Sequence, residues 1–192
     1  MNRATAARIS GFTLLFYIVV GMSAMAGLFH GVGRELATIA QNVSAVVLAV
    51  TLYVVTRVQA PRLAALGMIF RLAEGSLGAI VAVTGMALSR PNLVAATLFA
   101  IGSTCFCWLL LRGRMMPRGL AWLGVVASAS LIIGLSLQLA GVLSGTVTQL
   151  MWMPMLAFEV PGGVWLMVRG VPPITREPSG YRPFVPARWI VR

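Results

Sequence analysis

The stretch RLAALGMIFRLAEGSLGA, from Arg62 to Ala79, decides the fold because it has the composition of a membrane-spanning helix yet carries charges inside it. A segment this long and this apolar predicts a helix that crosses the hydrocarbon layer of a bilayer. Arg71 and Glu74 lie well within it, three positions apart, and therefore share one helix face. Ionised side chains are costly in hydrocarbon and occur there with a partner or a function. We therefore expect Arg71 to pair with a carboxylate, from Glu74, Glu159 or both.

The composition of the whole chain favours a polytopic membrane protein. Of its 192 residues, 59% are hydrophobic and only 10% are charged, whereas soluble domains carry about 25% charged residues. The net charge is +11, and every basic residue is Arg. Because these arginines flank apolar segments, we expect anionic lipid headgroups as their partners, and no nucleic acid. Exclusive use of Arg is typical of a GC-rich bacterial genome, an argument from codons and not from physics.

Six apolar segments follow one another, each near the length of about 20 residues that spans a bilayer. They cover Ile9–Phe29, Leu36–Thr56, Leu63–Leu88, Leu93–Leu111, Gly119–Leu143 and Leu150–Val168. They predict an all-α bundle of six transmembrane helices over residues 1–168. Gly27xxxGly31 and Gly141xxxGly145 also have the spacing that allows close helix packing. The alternative for the first segment is a signal peptide cleaved after Ala26, although its apolar stretch continues through Phe29.

The arginines predict the orientation of this bundle. Six helices place both termini on one side of the membrane. That side is flanked by Arg3, Arg8, Arg57, Arg62, Arg112, Arg114, Arg118, Arg169, Arg176, Arg182, Arg188 and Arg192, and the other by Arg34 and Arg90. The positive-inside rule then predicts that both termini are cytoplasmic, in the bacterial cytoplasmic membrane. Residues 169–192, rich in Arg and Pro, are expected to form a tail that is disordered or associated with the membrane surface.

Counting along the helices predicts a polar layer near the membrane midplane. At about 1.5 Å per residue, Arg71 lies roughly 13 Å from Arg62, and Glu159 lies roughly 15 Å from Arg169. Half of the hydrocarbon thickness is about 15 Å. The candidate binding residues at this depth are Arg71, Glu74, Glu159, Tyr17, Ser103, Thr104, Ser128 and Ser130. With one glutamate protonated, the cluster would be neutral, so a shared proton is plausible.

The sixth segment is expected to be broken around Glu159. Pro154 and Pro161 lie within it, and proline removes a helical hydrogen bond. Such breaks beside a buried carboxylate are typical of binding sites in transporters. The first hypothesis is therefore binding or transport of a small solute or proton at the buried site. The alternative is a structural or accessory membrane protein in which the same residues only fix helix packing.

Catalysis is the least favoured interpretation. The single histidine, His30, stands at the edge of a segment, so neither a two-histidine zinc site nor a histidine-assisted nucleophile can be built. Cys105 and Cys107 are two positions apart on a helix and point to different sides. We therefore expect no metal and no cofactor.

Three motifs resemble a known family. These are RLAE at Arg71–Glu74, RMMPRGLAWLG at Arg114–Gly124 and FEVPGGVWLMVRG at Phe158–Gly170. In this order they resemble the bacterial membrane family catalogued as domain of unknown function 4386, over about Arg8 to Val171, although this chain is short for that family, chiefly in its outer loops. The resemblance implies a multi-helix membrane protein with polar residues at the positions of Arg71, Glu74 and Glu159. It supplies no activity, substrate or cofactor.

Overall fold

A computed structural model describes residues 1–84 and 91–172, and within these ranges the protein is helical without strands. The helices are α1 (Arg3–Met25), α2 (Val32–Thr56), α3 (Pro61–Thr84), α4 (Pro91–Arg112), α5 (Arg118–Leu139), α6 (Thr146–Leu150) and α7 (Met153–Val168). Six spans are long and apolar enough to cross a membrane, the sixth formed by α6 and α7 together. The predicted all-α, multi-pass membrane protein is thus confirmed. The orientation of its termini stays a prediction.

Two sequence predictions extend beyond the described residues. The third segment was expected to reach Leu88, and the described helix ends at Thr84, with residues 85–90, including Arg90, outside the description. The tail predicted over residues 169–192 is described only as far as Pro172. Its state as a disordered or surface-associated segment therefore lies outside the described residues.

Prolines and glycines set the limits of several helices. Pro61 and Pro91 open α3 and α4, where the fixed φ suits a first turn and the missing N–H has no helical partner to lose. Gly141 and Gly145 have φ of +78° and +71°, and they form the turn between α5 and α6. A side chain added at either would meet no atom within 4 Å. The predicted Gly141xxxGly145 packing motif is therefore wrong, as is Gly27xxxGly31, whose glycines also have positive φ and open surroundings.

The long helices form a closed ring. Each packs against the helices next to it in the chain, and α7 closes the ring by packing against α1 as well as α5. The α1–α7 closure depends on direct backbone approach, since a Cβ built on Gly11 would lie 2.4 Å from the Gly163 carbonyl oxygen. A Cβ on Gly67 in α3 would lie 3.4 Å from the carbonyl oxygen of Gly102 in α4. Glycines thus bring the helices close together, as in other membrane bundles.

Arginines gather at one end of the ring, called here the arginine-rich end. It carries Arg3, Arg57, Arg62, Arg112, Arg118 and Arg169. Arg3 also ties the ring together there, because its Nε donates to the Val55 carbonyl at 2.9 Å and its Nη1 to the Pro172 carbonyl at 3.2 Å. The start of α1 is thereby bonded to the end of α2 and to the chain that follows α7.

The outside of the ring is apolar. Large exposed hydrophobic side chains occur on every long helix, among them Phe12, Val43, Val50, Ile69, Val94, Trp122, Val126, Ile133 and Val164. Soluble proteins rarely expose so much contiguous apolar surface. This surface suits lipid tails, and it leaves the polar groups of the bundle to be placed inside the ring.

The sixth span is broken, though not where the sequence predicted. The interruption lies at Met151 and Trp152, between α6 and α7. Pro154 stands in the first turn of α7, where proline does not break a helix. Pro161 does lie inside α7, which nevertheless continues to Val168. The predicted break is therefore found just before Pro154 and is wrong at Pro161, and Glu159 lies on a helical stretch that begins six residues before it.

Candidate functional site

Arg71 is the largest of the fully buried side chains in the described residues, and its carboxylate partner comes from its own helix. Its side chain is 2% exposed, and Nη1 lies 2.8 Å from Oε2 of Glu74. The N–H groups of Nη1 are not aligned with that oxygen for a hydrogen bond. The contact is thus a close ion pair, which the i, i+3 spacing on α3 makes possible. This confirms the prediction that Arg71 pairs with a buried carboxylate.

Two neighbouring helices complete the surroundings of this pair. From α1, the Tyr17 hydroxyl donates to Oε1 of Glu74 at 3.1 Å. From α4, the Phe99 ring lies under the guanidinium, with its centre 4.5 Å from Cζ, and the Tyr17 ring lies 5.7 Å away. Aromatic faces attract cations, and more so away from water. The Arg71–Glu74 pair is therefore held by contacts that join α1, α3 and α4.

Gly102 makes room for the arginine. A Cβ at this position on α4 would lie 2.8 Å from Cγ of Arg71, so any larger residue would displace the aliphatic stem. Neither Phe99 nor Gly102 was among the residues expected at the site. A phenylalanine and a glycine in an apolar helix give no signal in the sequence that distinguishes them from ordinary packing residues.

Glu159 stands apart from the ion pair. It lies on α7 and is 8% exposed. Within residues 1–84 and 91–172, its carboxylate has no hydrogen bond and no ion pair. Of the two carboxylates expected as partners of Arg71, the ion pair in the described residues uses Glu74, which projects from the same helix face.

The interior of the ring contains a large cavity that reaches Glu159. Its volume is about 1460 Å³, and its lining extends from Glu159 to residues at the end of the ring opposite the arginine-rich end, such as Arg34 and Ser144. Tyr17, Glu74 and Glu159 line its deepest part, called here the acidic floor. Nearer the mouth the lining is polar, with Arg34, Thr38, Gln41, Asn42, Gln138, Ser144, Thr148 and Gln149. Three residues of the predicted polar layer, Tyr17, Glu74 and Glu159, thus line one cavity together.

A second, small void lies on the other side of Glu159. It measures about 40 Å³ and is lined by Arg71, Ser103 and Glu159 together with apolar side chains. The apolar lining, towards the arginine-rich end, includes Leu14, Leu52, Phe106, Leu110, Met116 and Leu166. These side chains form an apolar barrier between the acidic floor and the arginine-rich end. Glu159 therefore lies at the boundary between an open cavity and a closed region.

The hydroxyl residues predicted at the same depth divide into two groups. Ser103 is buried and lines the small void beside Arg71. Thr104, Ser128 and Ser130 line neither space. Their hydroxyls donate to carbonyls one turn back on their own helices, at 2.7–2.8 Å, and Ser130 is exposed on the outside of the ring. The depth of these residues did not predict whether their hydroxyls point into the interior, because a hydroxyl in a membrane helix can donate its hydrogen bond to a carbonyl of its own helix.

The described part of the chain contains no cluster of side chains that could hold a metal ion. No group of three or more His, Cys, Asp or Glu residues converges there. Cys105 and Cys107 are free thiols, half-buried and buried respectively. In the described residues, the interior therefore offers one carboxylate without a partner, Glu159, beside the neutral Arg71–Glu74 ion pair.

Comparison with known proteins supports the family resemblance. A family model described as "Domain of unknown function (DUF4386)" matches residues 86–170. This confirms the family resemblance over a region that includes Glu159, the whole of α4 to α7 and two of the three motifs, while RLAE at Arg71–Glu74 lies outside it. No curated protein and no solved structure matches the chain.

Proposed function

We propose that this protein binds a small solute or a proton at Glu159 and carries it across the bacterial cytoplasmic membrane. The observation that carries the proposal is an unpartnered, nearly buried carboxylate at the deepest point of an open cavity. An unpaired carboxylate in such surroundings destabilises the fold by several kcal/mol when ionised. Its presence is explained when a proton or a ligand supplies the missing partner.

The other charged residues have a different role in this proposal. Arg71 and Glu74 satisfy each other and are held by Tyr17 and Phe99. They form a fixed, neutral wall beside Glu159 and do not themselves need a ligand. Glu159 is the residue that changes its state.

The shape of the interior suits transport by alternating access. The cavity exposes Glu159 at one end of the ring, and the apolar barrier closes the other end. A transporter exposes a site near the midplane to one side of the membrane at a time. If both termini are cytoplasmic, as the arginines indicate, this conformation opens away from the cytoplasm, and release inward requires the barrier to part.

The second candidate is a structural or accessory membrane protein. It is favoured by the contacts of Arg71, which join α1, α3 and α4 in one cluster. A buried ion pair can serve to fix helix register. This candidate explains Arg71 and Glu74 well, yet it gives no reason for the unpartnered carboxylate of Glu159.

The substitution Glu159→Gln distinguishes the two candidates. Purified protein is reconstituted in liposomes that contain a pH-sensitive dye, and proton flux is recorded after an external acid pulse. Glu35→Gln is the matched control, because Glu35 is exposed in the first turn of α2 and does not line the cavity. Thermal unfolding of each variant is measured in detergent.

We expect Glu159→Gln to unfold at or above the wild-type temperature and to abolish the flux, while Glu35→Gln retains it. Removal of an unpaired buried charge should not weaken the fold. Wild-type flux that persists in Glu159→Gln would refute the proposal. A marked loss of stability in Glu159→Gln would instead support the structural candidate.

A further inference from the structure

The net charge of the acidic floor restricts what it can bind. Of the ionisable residues that line the cavity, Glu74 is neutralised by Arg71, and Arg34 is exposed at the mouth. Glu159 is left as the cavity-lining carboxylate that has no ion pair of its own within the described residues, and when ionised it adds one negative charge to the neutral pair. Because charges in a surrounding of low dielectric interact strongly, an anionic ligand would be repelled there and a monovalent cation would be attracted.

The walls next to the acidic floor are apolar and aromatic. Trp152 and Phe99 both line the cavity, and their ring centres are 5.8 Å apart at an angle of 45°. Leu156 lies on α7 three residues before Glu159 and lines the same space. Phe99 already holds a cation, since the Arg71 guanidinium lies 4.5 Å from its ring centre. The aromatic surroundings of this interior are thus arranged in a way that accommodates positive charge.

A bare metal ion would find too few ligands at this place. Hard cations such as Ca²⁺ take about six to eight oxygen ligands. The floor offers the carboxylate of Glu159, whereas the oxygens of Glu74 face Arg71 and Tyr17. An organic ammonium ion needs only one carboxylate, with aromatic and apolar surfaces around its carbon atoms.

From these observations, and resting on the proposed function, we infer that the solute is a monovalent organic ammonium ion. Its positive group lies against Glu159, and its carbon atoms lie along Trp152 and Leu156. The cation supplies the partner that Glu159 lacks within the described chain. The polar side chains farther from the floor, such as Thr38 and Gln149, allow a hydrated cation to approach before its water is removed at the aromatic wall.

Titration calorimetry tests this inference with the protein in nanodiscs of phosphatidylcholine, whose headgroup has no net charge. The probes are benzyltrimethylammonium, neutral benzyl alcohol, anionic phenylacetate and sodium ion. We expect the ammonium probe alone to bind. Glu159→Gln should weaken its binding by about tenfold or more, the effect of losing a contact between charged groups, and Glu35→Gln should leave it unchanged.

A second variant tests the aromatic wall. Trp152→Leu keeps an apolar side chain and removes the ring, and it should weaken ammonium binding by about two- to thirtyfold, the range of a cation–π contact. Size-exclusion profiles and thermal unfolding verify that each variant is folded. Unchanged affinity in folded Trp152→Leu would overturn the assignment of the aromatic wall.

The remaining outcomes separate this inference from the proposed function. Binding of benzyl alcohol, phenylacetate or sodium that depends on Glu159 would overturn the ammonium assignment and leave the site at Glu159 intact. Absence of ammonium binding together with proton flux that depends on Glu159 would likewise overturn only the inference. Absence of both would overturn the inference and the proposed function together.

Discussion

Replacing Arg71 by methionine should destabilise the protein because it leaves the Glu74 carboxylate buried without its cation. Removing one partner of a buried ion pair costs about 3–5 kcal/mol. Loss of the guanidinium from the Phe99 ring, 4.5 Å away, adds about 0.5–2 kcal/mol. The Tyr17 hydroxyl still donates to Glu74, which offsets about 1 kcal/mol. We therefore expect a loss of about 2.5–6 kcal/mol, a large part of the total stability of about 5–15 kcal/mol of a typical protein.

Adding Glu74→Gln to Arg71→Met should recover about 2–3 kcal/mol. The double variant leaves no stranded charge at position 74, and the amide oxygen of glutamine can still accept the Tyr17 hydrogen bond. Methionine is chosen because it retains an aliphatic stem beside Gly102, where the stem of Arg71 lies. A second cycle combines Arg71→Met with Glu159→Gln. It should give a smaller coupling energy than the first cycle, because Arg71 forms its ion pair with Glu74 and not with Glu159.

Both cycles are measured by equilibrium unfolding in mixed micelles of mild detergent and dodecyl sulfate, followed by far-ultraviolet circular dichroism. The comparison of the two coupling energies is the decisive quantity, because it does not depend on the absolute stability. A larger coupling of Arg71 with Glu159 than with Glu74 would refute the arrangement of the cluster described above. Equal stability of wild type and Arg71→Met would refute the energetic reasoning itself.

Two further predictions concern ring closure and orientation. Gly11→Ala should lower the free energy of unfolding by about 1–3 kcal/mol or more, because its Cβ would lie 2.4 Å from the Gly163 carbonyl oxygen. Gly33→Ala, at a helical glycine with no neighbour within 4 Å, should raise it by up to about 1 kcal/mol. Similar unfolding curves for the two variants would contradict the close α1–α7 contact. Reporter fusions after Arg192 and within residues 144–149 should report opposite sides of the membrane, with Arg192 on the cytoplasmic side. A periplasmic Arg192 would contradict the topology of six spans or indicate cleavage after Ala26.

The sequence by itself determined the class of the protein, the number of its membrane spans and the ion pair between neighbouring residues of one helix. Hydropathy indicates whether a segment prefers lipid to water. It depends on about 20 consecutive residues and can be evaluated without knowing which other helices the segment contacts. The Arg71–Glu74 pair was predictable for a similar reason, since i, i+3 spacing brings two side chains together on any α-helix. Residues 86–170 match the family model, and this range contains two of the three contiguous motifs that carry the resemblance.

Tertiary structure decided which residues of the predicted polar layer meet. Ser128 and Ser130 lie at nearly the same depth as Glu159, yet they bond to their own helix, because depth gives the height of a residue and not the rotation of its helix. Phe99 and Gly102 became part of the site only through the packing of α4 against α3. The glycines that pack helices together were also not those that the sequence spacing indicated. The glycines with GxxxG spacing form turns, whereas Gly11 and Gly163, far apart in the chain, bring α1 and α7 into contact. Within the described residues, Glu159 has no ion pair, and a cavity reaches it. Both features follow from the order of the helices around the ring, which no local sequence pattern encodes.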